Sequence, residues 1–162
     1  MKTNESPARR YGHATLRELF RYNDWAHAQL VEVCSALSDA QLDRTFEMGM
    51  GTIRATMNHI CAAERVWLDR WTGHPAPRFR THADGITITQ LADELRQIAA
   101  ERDQYLQTLA NHELEHILTY RNSRGQEFRN PIGGLMLHVC AHGVHHRAQV
   151  LNMLRHVGAA LP

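Results

Sequence analysis

The chain has 162 residues, 43% hydrophobic and 22% charged, which suits one globular domain with a full core. Lys plus Arg is 18 against 17 for Asp plus Glu, and a formal net charge of +1 gives no electrostatic footprint for nucleic acid or an anionic membrane. Twelve histidines are the compositional oddity, and three scattered cysteines without C-x-x-C spacing read as reduced, buried thiols of a cytoplasmic protein.

Residues 1–12, MKTNESPARRYG, lack the apolar stretch of a signal peptide and read as a flexible segment ahead of a single domain over 13–158. No apolar run approaches the roughly 20 residues of a membrane-spanning helix. A first helix is expected from about His13 to Leu37, with Leu16, Leu19, Phe20, Asn23, Ala26, Leu30 and Val33 on one stripe. Ser38-Asp-Ala-Gln41 has capping-box spacing and predicts a short helical turn, and EMGMG reads as a loop.

Thr52 is the expected N-cap of a second helix carrying Ile53, Met57, Ile60, Cys61, Leu68 and Trp71, which stops at Gly73 with Pro75 just beyond. The stretch HPAPRFRTHADG is a connecting loop. A third helix follows Thr87, whose capping box closes with Gln90, and runs through Leu91, Leu95, Ile98, Tyr105 and Leu106. Residues 116–130 break the pattern: Ile117, Thr119 and Phe128 flank the turn signal Asn-Ser-Arg-Gly125, which predicts a small β-hairpin. The last helix is expected to open with Asn130 as N-cap and Pro131 at its first position, and to end at Gly158. Four long amphipathic helices and one hairpin make an all-α four-helix bundle, with the connection order left open.

Residues 137–150, LHVCAHGVHHRAQV, place His138, His142, His145 and His146 in a mostly apolar stretch. Helical residues four apart stack one turn apart, so His138 with His142, or His142 with His146, can converge on one ion. Buried imidazoles need hydrogen-bond partners and repel one another when protonated, and a bound metal answers both demands. The alternative is a histidine-rich polar seam satisfied by water and carbonyls. A third ligand has to come from another helix, and His59, on the edge of the second helix's stripe, is the candidate.

Three stretches in order resemble the DinB/YfiT-like family of metal-binding four-helix bundles, over about residues 13–157. They are R-Y-N-D-W-A-H-A-Q-L in the first helix, M-N-H-I-C-A-A-E-R-V-W-L in the second and H-V-C-A-H-G-V-H-H-R-A-Q-V in the last. The chain departs from the usual pattern at His27, where Asn is common, and at Ala148, where Gly is common. By position, the resemblance implies His59, His142 and His146 as the metal ligands. It also implies an up-down-down-up helix order and a homodimer. His145 points to a different azimuth, and His138 lies one turn before His142.

A three-histidine site with an open fourth position is the arrangement of catalytic zinc, and imidazole equally suits nickel or iron. Such a metal lowers the pKa of bound water or holds a thiol as thiolate. The resemblance implies a thiol S-transferase that uses a low-molecular-weight thiol on a small-molecule substrate. Alternatives are a metal-dependent hydrolase or a non-enzymatic protein with a structural metal. Hydrolysis needs a general base, and Glu64 on the second helix's apolar stripe is the candidate, with a buried ion pair to Arg147 as its competing role. Tyr22 and Trp25 could line a pocket, but residues of this kind more commonly belong to a core or dimer interface.

Overall fold

The computed structural model describes residues 12–74 and 85–162. The expected N-terminal segment, Gly12 apart, and the loop after His74 lie outside these residues. In chain order the elements are α1 (His13–Ser35), α2 (Asp39–Leu42), α3 (Ile53–Trp71), α4 (Ile88–Thr108), a 3-10 turn (Asn111–Glu115), β1 (Ile117–Arg121), β2 (Glu127–Pro131) and α5 (Ile132–His156).

Local chemistry sets the helix starts. Ser38 and Gln41 form a reciprocal capping box at α2, Thr87 and Gln90 form another at α4, and the Thr52 hydroxyl accepts the Ala55 N–H at α3. The start of α5 differs from expectation. Asn130 is paired with Leu118 in the hairpin, and its side chain reaches the Tyr120 hydroxyl at 3.3 Å. Pro131 therefore ends β2 and takes the N-cap position, with φ −61° and ψ 139°. The ladder claims Asn130 before the helix can, and proline's missing N–H is harmless at either place.

The four long helices make the bundle. The start of α1 meets the end of α4, where the His13 backbone N–H donates to Asn111 at 3.0 Å, and the far ends of α1 and α4 border a common cleft at Cys34 and Ile88. These two helices are antiparallel. By contrast α3 and α4 run together, with Arg54 of α3 bonded to the Ile86 carbonyl just before α4 at one end and Arg65 bonded to Glu101 further along. Helix α5 is antiparallel to α3, since His59 meets His142 while Trp67 meets His138. It is parallel to α1, since Arg147 reaches His27 while Gln41 beyond α1 reaches Val157. The order is up-down-down-up, with α1 between α4 and α5 and α3 completing the ring.

The apolar stripes meet along the bundle axis. Leu16, Phe20 and Leu30 of α1 are buried with Ile60 and Leu68 of α3, Leu91 and Ile98 of α4, and Val150 and Met153 of α5. No helix among the described residues is long and apolar enough to cross a membrane.

Candidate metal centre

Helices α3 and α5 hold three histidines face to face. His142 and His146 stand one turn apart on α5, with ring centroids 4.4 Å apart, and His59 of α3 faces both, at 4.9 Å and 4.6 Å. The Nε2 atoms of His59 and His142 are 3.0 Å apart. One ring nitrogen from each of the three lies within 4.8 Å of the others. All three rings are half-buried, so the cluster sits at the rim of the α3–α5 seam rather than in the core.

Each imidazole is pushed toward its neutral form. Burial lowers the His142 pKa to about 3, helped by His146, His59, His138 and His145. Burial is also the main cause of the lowered values at His59 and His146. Gln149, three residues on and on the same face, fixes one tautomer. Its Oε1 lies 2.7 Å from His146 Nδ1, so that nitrogen carries the proton and Nε2 keeps its lone pair for the cluster. The Gln149 amide Nε2 faces His145 Nε2 at 3.1 Å.

These residues fit a divalent ion. Tetrahedral ligands at about 2.0–2.1 Å from a metal lie about 3.3–3.4 Å from one another, close to the separation seen between His59 and His142. Bringing three lone pairs together without a cation is electrostatically unfavourable, and neutral imidazoles are the protonation state a metal requires.

Neither His138 nor His145 belongs to the cluster. His138 is exposed and packs edge-on to Trp67 at 5.7 Å, one turn from His142, whereas His145 is exposed and bonded to Gln149. Tyr22 and Trp25, at 55% and 58% exposure, line neither the core nor the cluster; they touch each other on the outside of α1.

Glu64 is buried away from the cluster, and its ion-pair partner is Arg102 of α4 at 2.6 Å rather than Arg147. Arg147 instead bonds to Asn23 and lies 3.0 Å from His27 Nε2. Asn23 closes the circuit by donating to Glu64 at 2.6 Å, and Asp24 grips the other side of Arg102 at 2.5 Å. Sequence reasoning missed Arg102 and Gln149. Arg102 falls four residues after Ile98 and four before Leu106, so a charged residue inside the stripe was the available signal. Gln149 was marked by its place in the family-like stretch of the last helix and by its i+3 spacing from His146, but no role was read from either.

Asp24, His27 and Glu64 also bring possible ligand atoms within 4.8 Å of one another. There the cationic charge is already supplied by Arg102 on both carboxylates, so this cluster does not fit a metal as the histidines do. The cysteines offer no nucleophile: burial pushes the Cys34 and Cys140 thiols up to about 12, and Cys61 is buried as well.

Known proteins share this fold. The DinB family profile matches residues 3–162. Protein DinB of Bacillus subtilis (strain 168) is 21% identical over 150 residues, covering 88% of this chain and 86% of its own. YfiT from Bacillus subtilis, described as a probable metal-dependent hydrolase with an unusual four-helix bundle topology, superposes with a TM-score of 0.73 at 14% identity, over 96% of this chain and 94% of its own. A DinB-like protein from Bacillus cereus ATCC 10987 superposes with a TM-score of 0.64 at 19% identity, over 90% of this chain and 95% of its own. With a profile match along nearly its whole length and the same bundle, the chain belongs to the DinB family.

Proposed function

We propose that His59, His142 and His146 hold one divalent metal ion whose remaining position binds and activates the nucleophile of a small-molecule reaction. The carrying observation is the convergence of three neutral imidazoles from two helices, with ligand atoms within 4.8 Å. Zinc, nickel and iron all suit this donor set. When bound, the metal supplies Lewis acidity, lowering the pKa of a coordinated thiol or water. The chain itself supplies orientation: Gln149 fixes the His146 tautomer, and the antiparallel packing of α3 on α5 sets His59 against the α5 pair.

The favoured nucleophile is a low-molecular-weight thiol, in an S-transferase reaction. A metal-coordinated thiol is deprotonated by the metal and needs no carboxylate beside it. Water attack calls for a general base. Glu64 is committed to Arg102 and Asn23, and among the described residues no Asp or Glu joins the histidine cluster. Hydrolysis is the second reading, favoured by the likeness to YfiT and its description as a probable metal-dependent hydrolase. A structural metal is the non-enzymatic alternative.

The first test is metal content of untagged protein by elemental analysis, in wild type and in His59→Ala and His142→Ala. Near-stoichiometric metal lost in both variants is expected, and absence of metal after reconstitution with zinc, nickel or iron would sink the proposal. Cobalt-substituted protein titrated with a simple thiol then separates the readings. A sulfur-to-cobalt charge-transfer band supports the thiol reading. An unchanged spectrum with turnover of a test ester supports hydrolysis, and an unchanged spectrum without turnover supports a structural metal.

A further inference from the structure

A second cavity lies on the opposite side of the bundle, between α1 and α4. It has a volume of about 220 Å³ and shares no residue with the histidine cluster. The cleft exists because the seam is lined by short side chains, Ala28 of α1 and Ala92 and Ala99 of α4, where longer ones would close it. Leu95 and Val31 make its walls apolar.

Its inner end is polar. Asp24 and His27 line it, and behind them stands the buried network of Glu64, Arg102, Asn23 and Arg147. His27 has both ring nitrogens engaged, by Arg147 at 3.0 Å and Glu64 at 3.5 Å. Asp24 is the member with reach to solvent, its side chain 30% exposed while that of Arg102 is 1%. Even beside Arg102, burial holds the Asp24 carboxyl above the usual carboxylate range, at about 6. A further cation at its open side would therefore be stabilising.

The mouth carries Glu32 and Arg96. Arg96 is paired with Asp93, whereas Glu32 has no ion pair among the described residues. The uncompensated charge at the entrance is negative, the walls are apolar, and the base presents a carboxylate. That combination selects an ammonium head on a compact apolar body and discriminates against anions.

We propose that the α1–α4 cleft binds a small organic ammonium ion, an alkyl- or arylalkylamine no larger than a phenyl ring with a short chain, with its head at Asp24 and with Glu32 adding negative potential at the entrance. This site is independent of the proposed metal.

The test is an NMR titration of the full chain near neutral pH with benzylammonium, benzyl alcohol and benzoate. Saturable benzylammonium binding is expected with a Kd on the order of 1 mM or tighter, with shifts confined to α1 and α4. Benzyl alcohol should bind at least about tenfold more weakly, and benzoate should not saturate. Ala92→Leu fills the cleft and should abolish binding. Ala28→Leu, at an exposed helix position, is the second filling variant should the first perturb the fold. Glu32→Lys should weaken binding about fivefold to tenfold. His142→Ala should bind like wild type, which separates this result from failure of the metal reading. Equal affinity for the three probes, wild-type affinity in a folded filling variant, or no saturation by benzylammonium would overturn the proposal.

Discussion

A single glutamine governs the orientation of one proposed ligand. Gln149 accepts from His146 Nδ1 at 2.7 Å, which leaves His146 Nε2 free to bind. Partners of this kind behind a metal-binding histidine are typically worth about 10–100-fold in metal affinity. Gln149→Ala is therefore expected to weaken metal binding by that order while leaving the helical content unchanged. Gln149→Glu keeps an acceptor at the same reach and should recover part of the loss. Competition against a chelating dye measures both, and wild-type affinity in the alanine variant would remove Gln149 from the centre. At this scale the sequence was partly legible. Residues 142 and 146 announce themselves by their spacing, but spacing offered His138 equally, and only the family resemblance favoured one pair. His59 carried only a weak local sign, its place on the edge of the second helix's stripe, because its partners are 83 or more residues away along the chain.

Between elements, the decisive contact is the approach of α5 to α1 at Gly143. A Cβ there would stand 2.5 Å from Asn23 Oδ1 and 2.8 Å from Arg147 Nη1, so the missing side chain is what lets the buried Asn23–Arg147 bond form. Replacing glycine by alanine inside a helix ordinarily stabilises by about 1 kcal/mol. Gly143→Ala is expected to do the reverse and destabilise by about 1–3 kcal/mol, through overpacking and a strained buried hydrogen bond. Urea denaturation checks this, and a midpoint at or above wild type would show that Asn23 and Arg147 yield at little cost. The elements themselves were legible because stripes, capping boxes and the Asn-Ser-Arg-Gly turn are local signals. Asn130 was misread because a strand pairing outbid an N-cap that local sequence favoured equally well. The partner of Glu64 was misread for a related reason: Arg102 and Arg147 both lie on apolar stripes of helices that flank α3, and only the packed side chains show that Arg102 takes Glu64 while Arg147 takes Asn23.

For the molecule as a whole, the buried network makes stability depend on acidity. Burial, with Arg147 and Arg102 nearby, lowers the His27 pKa from 6.5 to about 3. Arg147 faces Nε2, so the neutral ring keeps its proton on Nδ1 toward Glu64. A depressed histidine pKa means that the unfolded chain binds a proton the folded chain refuses. His27 therefore leaves stability intact above about pH 6.5 and removes it as pH falls from there toward 3. At pH 5 the loss is about 2 kcal/mol. Asp24 works in the opposite sense: its folded pKa of about 6 exceeds the usual 3.8, so it favours the folded state at low pH and costs stability as pH rises through 6. The two partly cancel in the wild type, which hides each of them. His27→Asn, the residue common at this position in the resembling family, keeps an acceptor for Arg147 and removes only the titration. The stability of wild type minus that of the variant should fall by about 2 kcal/mol between pH 7 and pH 5, because distant surface groups contribute equally to both proteins and the main causes of the Asp24 shift, burial and Arg102, remain in the variant. Denaturant titrations at a series of pH values measure the difference directly. A difference that stays constant across that window would mean that His27 accepts its proton in the folded bundle as readily as in the unfolded chain, and the polar interior would then be open to water rather than sealed by the helices.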